Sequence, residues 1–491
     1  MSDANGKNDS KDFIKNLKDK HTDKSEKSYK SNVENLKSMD ERAAKINSIS
    51  PSFCTAKWVQ STVMLHNGFT HSCHHPAQHK IPLEEIENNP SAIHNTKFKK
   101  EQRQKMLDGE RPEECQYCWN IEDLPDAHYS DRIYKSTNEV WSFPHLQKVL
   151  EAGAEQNINP TYLEIAFDNT CNFKCMYCTP DISTTWMDEI KKFGPYPTRY
   201  NTGNLEWLQQ VGRMPYHHSE HNPYTEAFWK WWPELYLDLD TFRITGGEPL
   251  LNQNTWKVLE WVSKSPRENF NLAINSNMGI QRRWIDKLLG YTNLISPNVK
   301  TIEIYTSCEA AGEQAEYIRY GLNYRELMDN VRHYLKNSNP KDRVNFMITF
   351  NALSVTTFTD FLDEIGKLRS EFNPHKGFDR IPLMVSYLRW PSFQSVKVLP
   401  RDIREKYAKK FRDYAVANSI ETSSDGFIYL EEVDQINRLA DFMLTDQDDE
   451  SLKLDRKDFG AFYREYDLRK NLSFSEVFPE LEKFYEDCLK L

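Results

Sequence analysis

One stretch of the chain indicates both the fold and the chemistry. Residues 162–178 read YLEIAFDNTCNFKCMYC. The first six residues are apolar or aromatic except for Glu164, and an aromatic residue stands at each end, which is typical of a strand. Three cysteines, Cys171, Cys175 and Cys178, follow on the loop directly after that strand. In folds that alternate strands with helices, reactive groups gather at the carboxyl ends of the strands, so this position favours a functional role for the thiols.

The spacing of the three cysteines is suited to a metal cluster. Three thiolates on one loop can bind three irons of a four-iron, four-sulfur cube, which leaves the fourth iron open to a small molecule. A structural zinc site is the alternative, but zinc prefers four closed ligands. No fourth Cys or His lies near this loop in the sequence.

The pattern of strand, loop and helix repeats from about residue 160 to residue 400. Such alternation predicts an α/β fold with a parallel sheet, as a barrel or partial barrel. The predicted strands are Tyr162–Phe167, Thr241–Ile244, Asn271–Ile274, Thr301–Tyr305, Asn345–Phe350 and Leu383–Tyr387. Helices are predicted between them, for example at Asn252–Ser265 and Tyr324–Leu335.

A glycine pair follows the second of these strands. Residues 246–249 read Gly-Gly-Glu-Pro. Glycines allow the backbone to approach a ligand closely, and a carboxylate at that place can accept hydrogen bonds from an ammonium group. A plain turn would also explain the glycines, but their position one strand after the cysteine loop favours a binding role.

Together these segments resemble the radical S-adenosylmethionine (SAM) superfamily. The resemblance covers roughly residues 54–400 and includes the aromatic residue before the last cysteine, Tyr177, and the family's GGE motif. It implies a partial (β/α)6 TIM-type barrel and a 4Fe-4S cluster on the three cysteines. The residues that it implies for SAM binding are Tyr177, Gly246, Gly247, Glu248, Ser276, Asn277, Ser307, Arg319 and Asn351.

Within this set, the resemblance assigns particular roles. Glu248 would hold the SAM amino group, Ser276 and Asn277 would lie near the ribose, and Arg319 would pair with the SAM carboxylate. The segment from Ser307 to Gly321 is similar to a stretch of peptide-modifying members, with Cys308-Glu309 in place of the usual Leu-Asp. The implied chemistry is reductive cleavage of SAM to a 5′-deoxyadenosyl radical, which abstracts a hydrogen atom from the substrate.

A second group of thiols precedes the strands. Cys54, Cys73, Cys115 and Cys118 could close a metal site completely. Zinc is an open alternative here, since a four-cysteine zinc site uses such a C-x2-C pair, and His71, His74, His75 and His79 crowd Cys73.

The arrangement around these four cysteines resembles the auxiliary-cluster domain of radical SAM enzymes, of the SPASM or shorter twitch type. In that family the domain usually follows the barrel, whereas here it precedes it. The resemblance implies a second 4Fe-4S cluster on the four cysteines. We therefore expect a charged tail over 1–50, an auxiliary-cluster domain over 51–150, a radical SAM core over 151–400 with an insertion at about 180–240, and a helical region over 401–491.

Composition narrows the function classes. The chain has 491 residues, nine cysteines, a net charge of -10 and no long apolar run. We therefore expect a cytoplasmic protein with neither a secretory signal nor a membrane segment. The acidic balance argues against broad binding to the nucleic-acid backbone.

The sequence leaves the substrate open. A peptide or protein side chain is the leading hypothesis, by analogy with twitch and SPASM relatives. A small molecule, such as a sugar or nucleotide derivative, is the alternative, followed by RNA. A zinc- or cluster-binding protein that retains the fold without activity is the non-enzyme alternative. The enzyme class, oxidoreductase or transferase, stays open, and an enzyme of this superfamily would need a reductant such as flavodoxin or ferredoxin.

Overall fold

The computed structural model describes residues 39–125, 128–217, 219–373 and 378–491. Most of the charged tail expected over residues 1–50 lies outside these ranges, and residues 39–49 are helical. The chain divides into two compact units. The smaller comprises the residues through Ser61 together with Ser72–Ala77 and Asn95–Thr161, and the larger comprises Thr62–His71, Gln78–His94 and Tyr162–Leu491.

A nine-stranded sheet forms the centre of the larger unit. In spatial order its strands are β11 (Leu383–Tyr387), β10 (Arg343–Phe350), β8 (Thr301–Ser307), β7 (Asn271–Asn275), β6 (Thr241–Thr245), β4 (Tyr162–Ala166), β1 (Gln60–Met64), β2 (Phe69–His71) and β3 (His79–Lys80). The six strands from β4 to β11 in this sheet are parallel, and each lies beside the next along the chain. The α/β class is therefore confirmed, while curvature into a partial barrel stays a prediction.

Helices connect the parallel strands and cover the sheet with apolar side chains. Strand residues such as Ile244, Ile274 and Ile304 are fully buried among them, which explains the apolar positions of the sequence pattern. The helices of the larger unit are Leu83–Asn88, Thr184–Phe193, Leu205–Gln210, Pro223–Asp238, Gln253–Lys264, Arg282–Ile295, Gly312–Ile318, Tyr324–Asn337, Phe358–Phe372, Arg401–Ala417, Leu430–Leu444, Asp449–Lys470, Phe474–Val477 and Glu482–Cys488.

The antiparallel hairpin β1–β2 joins the sheet of the larger unit, although the sequence analysis assigned its residues to the 51–150 domain. Gly68 has a φ of +69° in its turn, as the Asn67-Gly68 pair indicates. The alternation of side chains from Trp58 to Leu65 predicts a strand over that stretch, and its start is wrong, because β1 begins only at Gln60. Trp58 lies instead in the Ala56–Val59 helix, where its indole NH donates to the Gly153 carbonyl at 2.6 Å.

The smaller unit is helical. In addition to helical residues 39–49, its described helices are Ala56–Val59, Lys97–Leu107, Gln116–Glu122, Asp131–Ser136 and Leu146–Ala152. The Lys97–Leu107 helix begins after Thr96, whose side chain accepts from the Lys99 amide as an N-cap, and Gly109 follows it with a φ of +80°. Among the described residues, the helices are too short or too polar for any to cross a membrane.

The insertion between Cys178 and Gly246 contains three helices, and its tryptophans are mostly core residues. Trp186 and Trp232 are fully buried, and Trp231 is nearly so. Trp207 is the exposed member of this set. The aromatic content of the insertion thus has a packing explanation, and a lid or substrate platform stays a prediction for its exposed parts.

Candidate active site and a second cysteine cavity

The loop after β4 is held in shape by its own backbone. The Cys178 amide donates to the Cys175 carbonyl at 2.9 Å, and the Phe173 amide donates to the Cys171 sulfur at 3.4 Å. Cys175 lies on the short strand β5 (Lys174–Cys175), which pairs with β9 (Arg319–Tyr320). The Trp186 indole NH also donates to the Cys175 carbonyl, at 2.9 Å. The three cysteines are therefore fixed on one loop beside the carboxyl end of β4.

The Gly-Gly-Glu segment packs directly against this loop. The Glu248 amide donates to the Thr170 carbonyl at 2.7 Å. A Cβ added to Gly247 would overlap that carbonyl oxygen, and one added to Gly246, where φ is +121°, would lie 2.8 Å from the Asp168 carbonyl oxygen. From the sequence, these glycines are expected to let the backbone come close to a ligand. The structure shows that they also allow the approach of the cysteine loop itself.

Glu248 is buried at the edge between β6 and β7. One carboxylate oxygen accepts from the Ser276 hydroxyl at 2.9 Å and from the Leu250 amide at 3.0 Å, and the other accepts from the Asn277 amide at 2.6 Å. Burial raises the pKa of Glu248 to about 7, although these hydrogen bonds oppose the shift. Its carboxylate therefore links two strand ends and retains acceptor capacity on the second oxygen. Its role toward the SAM ammonium stays a prediction.

Arg319 lies between a cysteine and a carboxylate. Its guanidinium donates to the Glu309 carboxylate at 2.6 and 3.1 Å and to the Cys175 sulfur at 3.7 Å. The Tyr177 hydroxyl donates to the other Glu309 oxygen at 3.1 Å. Burial raises the pKa of Glu309, and the Arg319 charge opposes that shift. Arg319, expected at the SAM carboxylate, is thus already paired within the protein.

The remaining residues predicted at the SAM site follow strand ends. Asn277 and Asn172 join their side chains at 2.8 Å, which ties the loop after β7 to the cysteine loop. Ser307 is the last residue of β8 and is partly exposed. Asn351 is fully buried, and its amide side chain bonds to the Thr349 carbonyl and the Leu353 amide of its own turn. Asn351 therefore forms local hydrogen bonds, and its expected role toward SAM stays a prediction.

The thiols of the loop are protonated in the metal-free protein at neutral pH. Burial raises the pKa of Cys171 to about 12, and burial also raises the pKa values of Cys175 and Cys178. Metal ions bind the deprotonated thiolate, so loading a cluster must displace these protons. The donor set, three sulfurs on one loop, fits a cluster with one open iron.

A row of charged side chains crosses the parallel part of the sheet. Glu164, Arg243, Ala273, Glu303 and Arg343 are cross-strand neighbours in consecutive strands. Glu164 and Arg243 lie two residues before the carboxyl ends of β4 and β6, whereas Arg343 is the first residue of β10. All but Ala273 are partly exposed, with Arg243 stacked 4.1 Å above the ring centre of Tyr305. Arg243 also donates at 2.9 Å to the side chain of Asn275, which precedes Ser276. This face of the sheet therefore carries both signs of charge, and Arg243 connects the row to the end of β7.

The other four cysteines line one cavity in the smaller unit. Cys54, Cys73, Cys115 and Cys118 are in its wall, together with Lys57, His75, Arg132 and Lys135. Among the described residues, no three His, Cys, Asp or Glu side chains are gathered as a site for a single metal ion. His75 pairs with Asp131 at 2.7 Å and stacks on Tyr117 at 3.6 Å.

The four thiols of this cavity interact electrostatically. Burial raises the pKa of Cys115 to about 12, with further contributions from the charges of Cys54 and Cys73. Burial and the charge of Cys54 raise the pKa of Cys118 to about 11. The fold thus brings together cysteines from distant parts of the sequence. A donor set of four thiols lining one cavity fits a four-iron cluster.

Sequence reasoning missed several residues of these sites. Glu309 stands where the peptide-modifying members have Asp, and a signal for it existed, since the exchange keeps the carboxylate. Arg243 was signalled by the polar positions that alternate along β6. Lys57 carried no signal, because a lysine three residues after a cysteine resembles any surface lysine until the fold shows it to be buried.

Comparison with known proteins supports the radical SAM assignment. No protein-family model matches the chain. A curated relative, GTP 3',8-cyclase of Syntrophomonas wolfei subsp. wolfei, is 28% identical over 123 residues, which is 25% of this chain. The match spans 28% of the length of that relative. It supports membership of the radical SAM superfamily, with a 4Fe-4S cluster and SAM as the implied cofactors.

Proposed function

We propose that this protein is a radical SAM enzyme that binds its catalytic cluster through Cys171, Cys175 and Cys178. The observation that carries the proposal is the packing of the Gly-Gly-Glu segment on the cysteine loop, where Gly247 leaves no room for a side chain against the Thr170 carbonyl. That packing brings a buried carboxylate, Glu248, to the end of the strand beside the three thiols. The distant relationship to GTP 3',8-cyclase supports the same chemistry.

The protein residues would divide the work as follows. When bound, the cluster and SAM supply an electron and a 5′-deoxyadenosyl radical that can abstract hydrogen. Glu248 accepts from an ammonium group on its free acceptor position, and Ser276 and Asn277 hold its carboxylate in place. Tyr177 and Arg319 are fixed by Glu309, which keeps the aromatic ring and the guanidinium beside Cys175.

We further propose a second 4Fe-4S cluster on Cys54, Cys73, Cys115 and Cys118. The support is a single cavity with all four thiols in its wall. Zinc bound by the same four thiols is the alternative, and metal analysis distinguishes the two. Four ligands would satisfy four irons, so this cluster would transfer electrons without offering an open iron to SAM or substrate.

The substrate proposal rests on analogy. A peptide or protein side chain is the class that the resemblance to twitch and SPASM enzymes suggests, in a reaction of the oxidoreductase type. The name of the curated relative denotes a nucleotide substrate, which favours a small molecule as the second candidate. The partly exposed row of Glu164, Arg243, Glu303 and Arg343 suits a polar substrate of either class. A flavodoxin or ferredoxin is the proposed reductant.

The test is anaerobic reconstitution of the full chain, followed by iron and zinc analysis and an assay for 5′-deoxyadenosine. We expect about eight irons per chain, four for each cluster, and SAM cleavage that depends on reductant. Cys488→Ala is the control, since this buried cysteine belongs to neither set. Absence of SAM cleavage by a protein with full iron content would contradict the proposed activity.

A further inference from the structure

Three cationic side chains are buried in the smaller unit behind its cysteine cavity. Lys57, Lys99 and Arg103, here called the buried cation cluster, are only 2%, 1% and 0% exposed. Lys57 lies in the cavity wall. Its ammonium pairs with the carboxylate of Glu114, which precedes Cys115. Arg103 donates to the Lys57 carbonyl at 3.0 Å, and the Lys99 ammonium donates to the Ser61 hydroxyl at 2.9 Å.

Burying positive charge is costly unless negative charge lies nearby. Burial and the charges of Arg103 and Lys57 lower the pKa of Lys99 well below its usual value. Burial lowers the pKa of Arg103 to about 9. For Lys57 burial acts in the same direction, but the charges of Cys115 and Glu114 outweigh it and raise the pKa. The electrostatic environment of Lys57 thus already includes a cysteine of the cavity.

Lys57 and Arg132 differ from Lys135, the third cation of the cavity wall. Lys135 pairs at 3.4 Å with Asp131, whose side chain is 36% exposed, so solvent screens that pair. The side chains of Lys57 and Glu114 are 3% and 12% exposed, and those of Arg132 and its partner Glu122 are 5% and 14% exposed. Arg132 also donates to the Phe53 carbonyl and the Asn47 side chain. A charge at Lys57 therefore acts on the cavity through a medium of lower effective dielectric.

We propose that the buried cation cluster, acting through Lys57, raises the reduction potential of the iron–sulfur cluster held by Cys54, Cys73, Cys115 and Cys118. This inference rests on the proposed function of that site. The reduction is a one-electron step in which the cluster gains a single negative charge from flavodoxin, ferredoxin or dithionite, and no bond forms or breaks. A fixed cation nearby stabilises the reduced state more than the oxidised state. Lys57 thus acts on the cluster through its charge and is not one of the iron ligands.

The test is a potentiometric titration of the reconstituted full chain, followed by electron paramagnetic resonance. Lys57→Met, which keeps the buried length of the side chain, should shift the midpoint potential of the second cluster to more negative values. Lys57→Arg should stay close to the wild type because it keeps the charge. Lys105→Met on the exposed face of the Lys97–Leu107 helix is the matched control and should cause no shift. An unchanged potential in Lys57→Met with full iron content would overturn the proposal.

A second variant keeps the test decisive if Lys57→Met loses its cluster. Glu114→Gln preserves shape but removes the negative partner of Lys57, so the midpoint potential should move to more positive values. No shift, or a negative shift, in an iron-replete Glu114→Gln protein would overturn the inference. If wild-type protein binds about four irons and one zinc, the second cluster is absent and the proposed function of this site is wrong. The metal analysis shows this outcome before any titration.

Discussion

The two cysteine sites are built in opposite ways. Cys171, Cys175 and Cys178 lie on one loop. The shape of this loop depends on its own backbone hydrogen bonds and on the close packing of Gly247 against the Thr170 carbonyl. The second site draws on cysteines at 54, 73, 115 and 118, which reach one cavity only through the fold of the smaller unit. A site on one loop can leave a metal open to a ligand. A site assembled from separate segments can enclose its metals.

Both sites nevertheless place a buried cation–carboxylate pair beside the thiols. Arg319 and Glu309 lie next to Cys175, and Lys57 and Glu114 lie next to Cys115. The difference is that Arg319 acts on Cys175 through its charge and also donates to the sulfur at 3.7 Å, whereas Lys57 interacts with Cys115 through its charge. The two sites therefore differ in that the buried cation of the loop site also forms a hydrogen bond to a cysteine.

The largest effect is expected from removal of the ligands. Replacing Cys171, Cys175 and Cys178 with Ala should abolish formation of 5′-deoxyadenosine and lower the iron content from about eight to about four per chain. Cys115→Ala with Cys118→Ala should lose the same amount of iron yet still form some 5′-deoxyadenosine, with little modified product. Chromatography of the reaction mixture measures both.

Circular dichroism must show that the double variant keeps its structure, because metal binding and folding are coupled. A folded Cys115→Ala, Cys118→Ala protein that converts substrate at the wild-type rate would show that the second site is structural. If that variant forms no 5′-deoxyadenosine, the proposal that the loop site cleaves SAM without the second site is wrong.

Gly247→Ala breaks the loop site without touching a ligand. The added Cβ would overlap the Thr170 carbonyl, a backbone atom that cannot turn away, so the cysteine loop must shift at a cost of ~1–3 kcal/mol. We expect selective loss of the iron of the loop site and a lower melting temperature. Gly290→Ala is the control, since no atom lies within 4 Å of its added Cβ. Wild-type iron content and SAM cleavage in Gly247→Ala would contradict the packing argument.

Glu248→Gln tests the carboxylate at the strand ends. Losing a charge-assisted hydrogen bond costs ~1.5–3 kcal/mol, so SAM affinity should fall by about tenfold or more while iron is retained. Because the pKa of Glu248 is raised from 4.5 to about 7, the ionised form appears as the pH rises through 7. SAM affinity of the wild type should therefore increase from pH 6 to pH 8, and Glu248→Gln should lose this dependence.

The raised pKa of Glu248 affects the stability of the fold with the opposite dependence on pH. A carboxyl group whose folded pKa lies above its unfolded value stabilises the fold fully below pH 4.5, and this contribution is lost as the pH rises through about 7.

Equal SAM affinity of wild type and Glu248→Gln at pH 8, measured by calorimetry, would refute the binding role of this carboxylate.

Arg319→Lys should give the smallest effect. Lysine keeps the charge but cannot donate to Glu309 and the Cys175 sulfur with the same fork of N–H groups. We expect a modest change in the resonance spectrum and midpoint potential of the loop cluster, with SAM affinity changed a few-fold at most. Arg111→Lys, in an exposed pair with Asp123, is the control. A large loss of SAM affinity with an unchanged spectrum would instead place Arg319 at the SAM carboxylate.

The sequence predicted the parts of the molecule that depend on local pattern. The six parallel strands lie within two residues of their expected bounds, because period-two burial is visible in residues such as Phe242 and Ile244. The loop of Cys171 to Cys178 was readable because its ligands are close in sequence. The start of β1 at Gln60 was not, since Trp58 suits a strand by propensity but is drawn into a helix by its contact with Gly153.

What the sequence could not show depends on tertiary contacts. The hairpin of residues 60–71 joins the large sheet although the cysteines on either side of it belong to the smaller unit. The pairing of Arg319 with Glu309 and the burial of Lys57 likewise arise from segments that meet only after folding. Asn351 could not be interpreted from the sequence either. It follows a strand end, but its side chain forms two hydrogen bonds within its own turn.

The central claim is that the chain carries two clusters, one open to SAM and one closed. Electron paramagnetic resonance of the reduced, reconstituted protein, recorded with and without SAM, tests it most directly. Our account predicts two 4Fe-4S signals, of which only the one that depends on Cys171, Cys175 and Cys178 changes when SAM is added. A single signal with about one zinc per chain, or a SAM response that persists after those three cysteines are replaced, would contradict it.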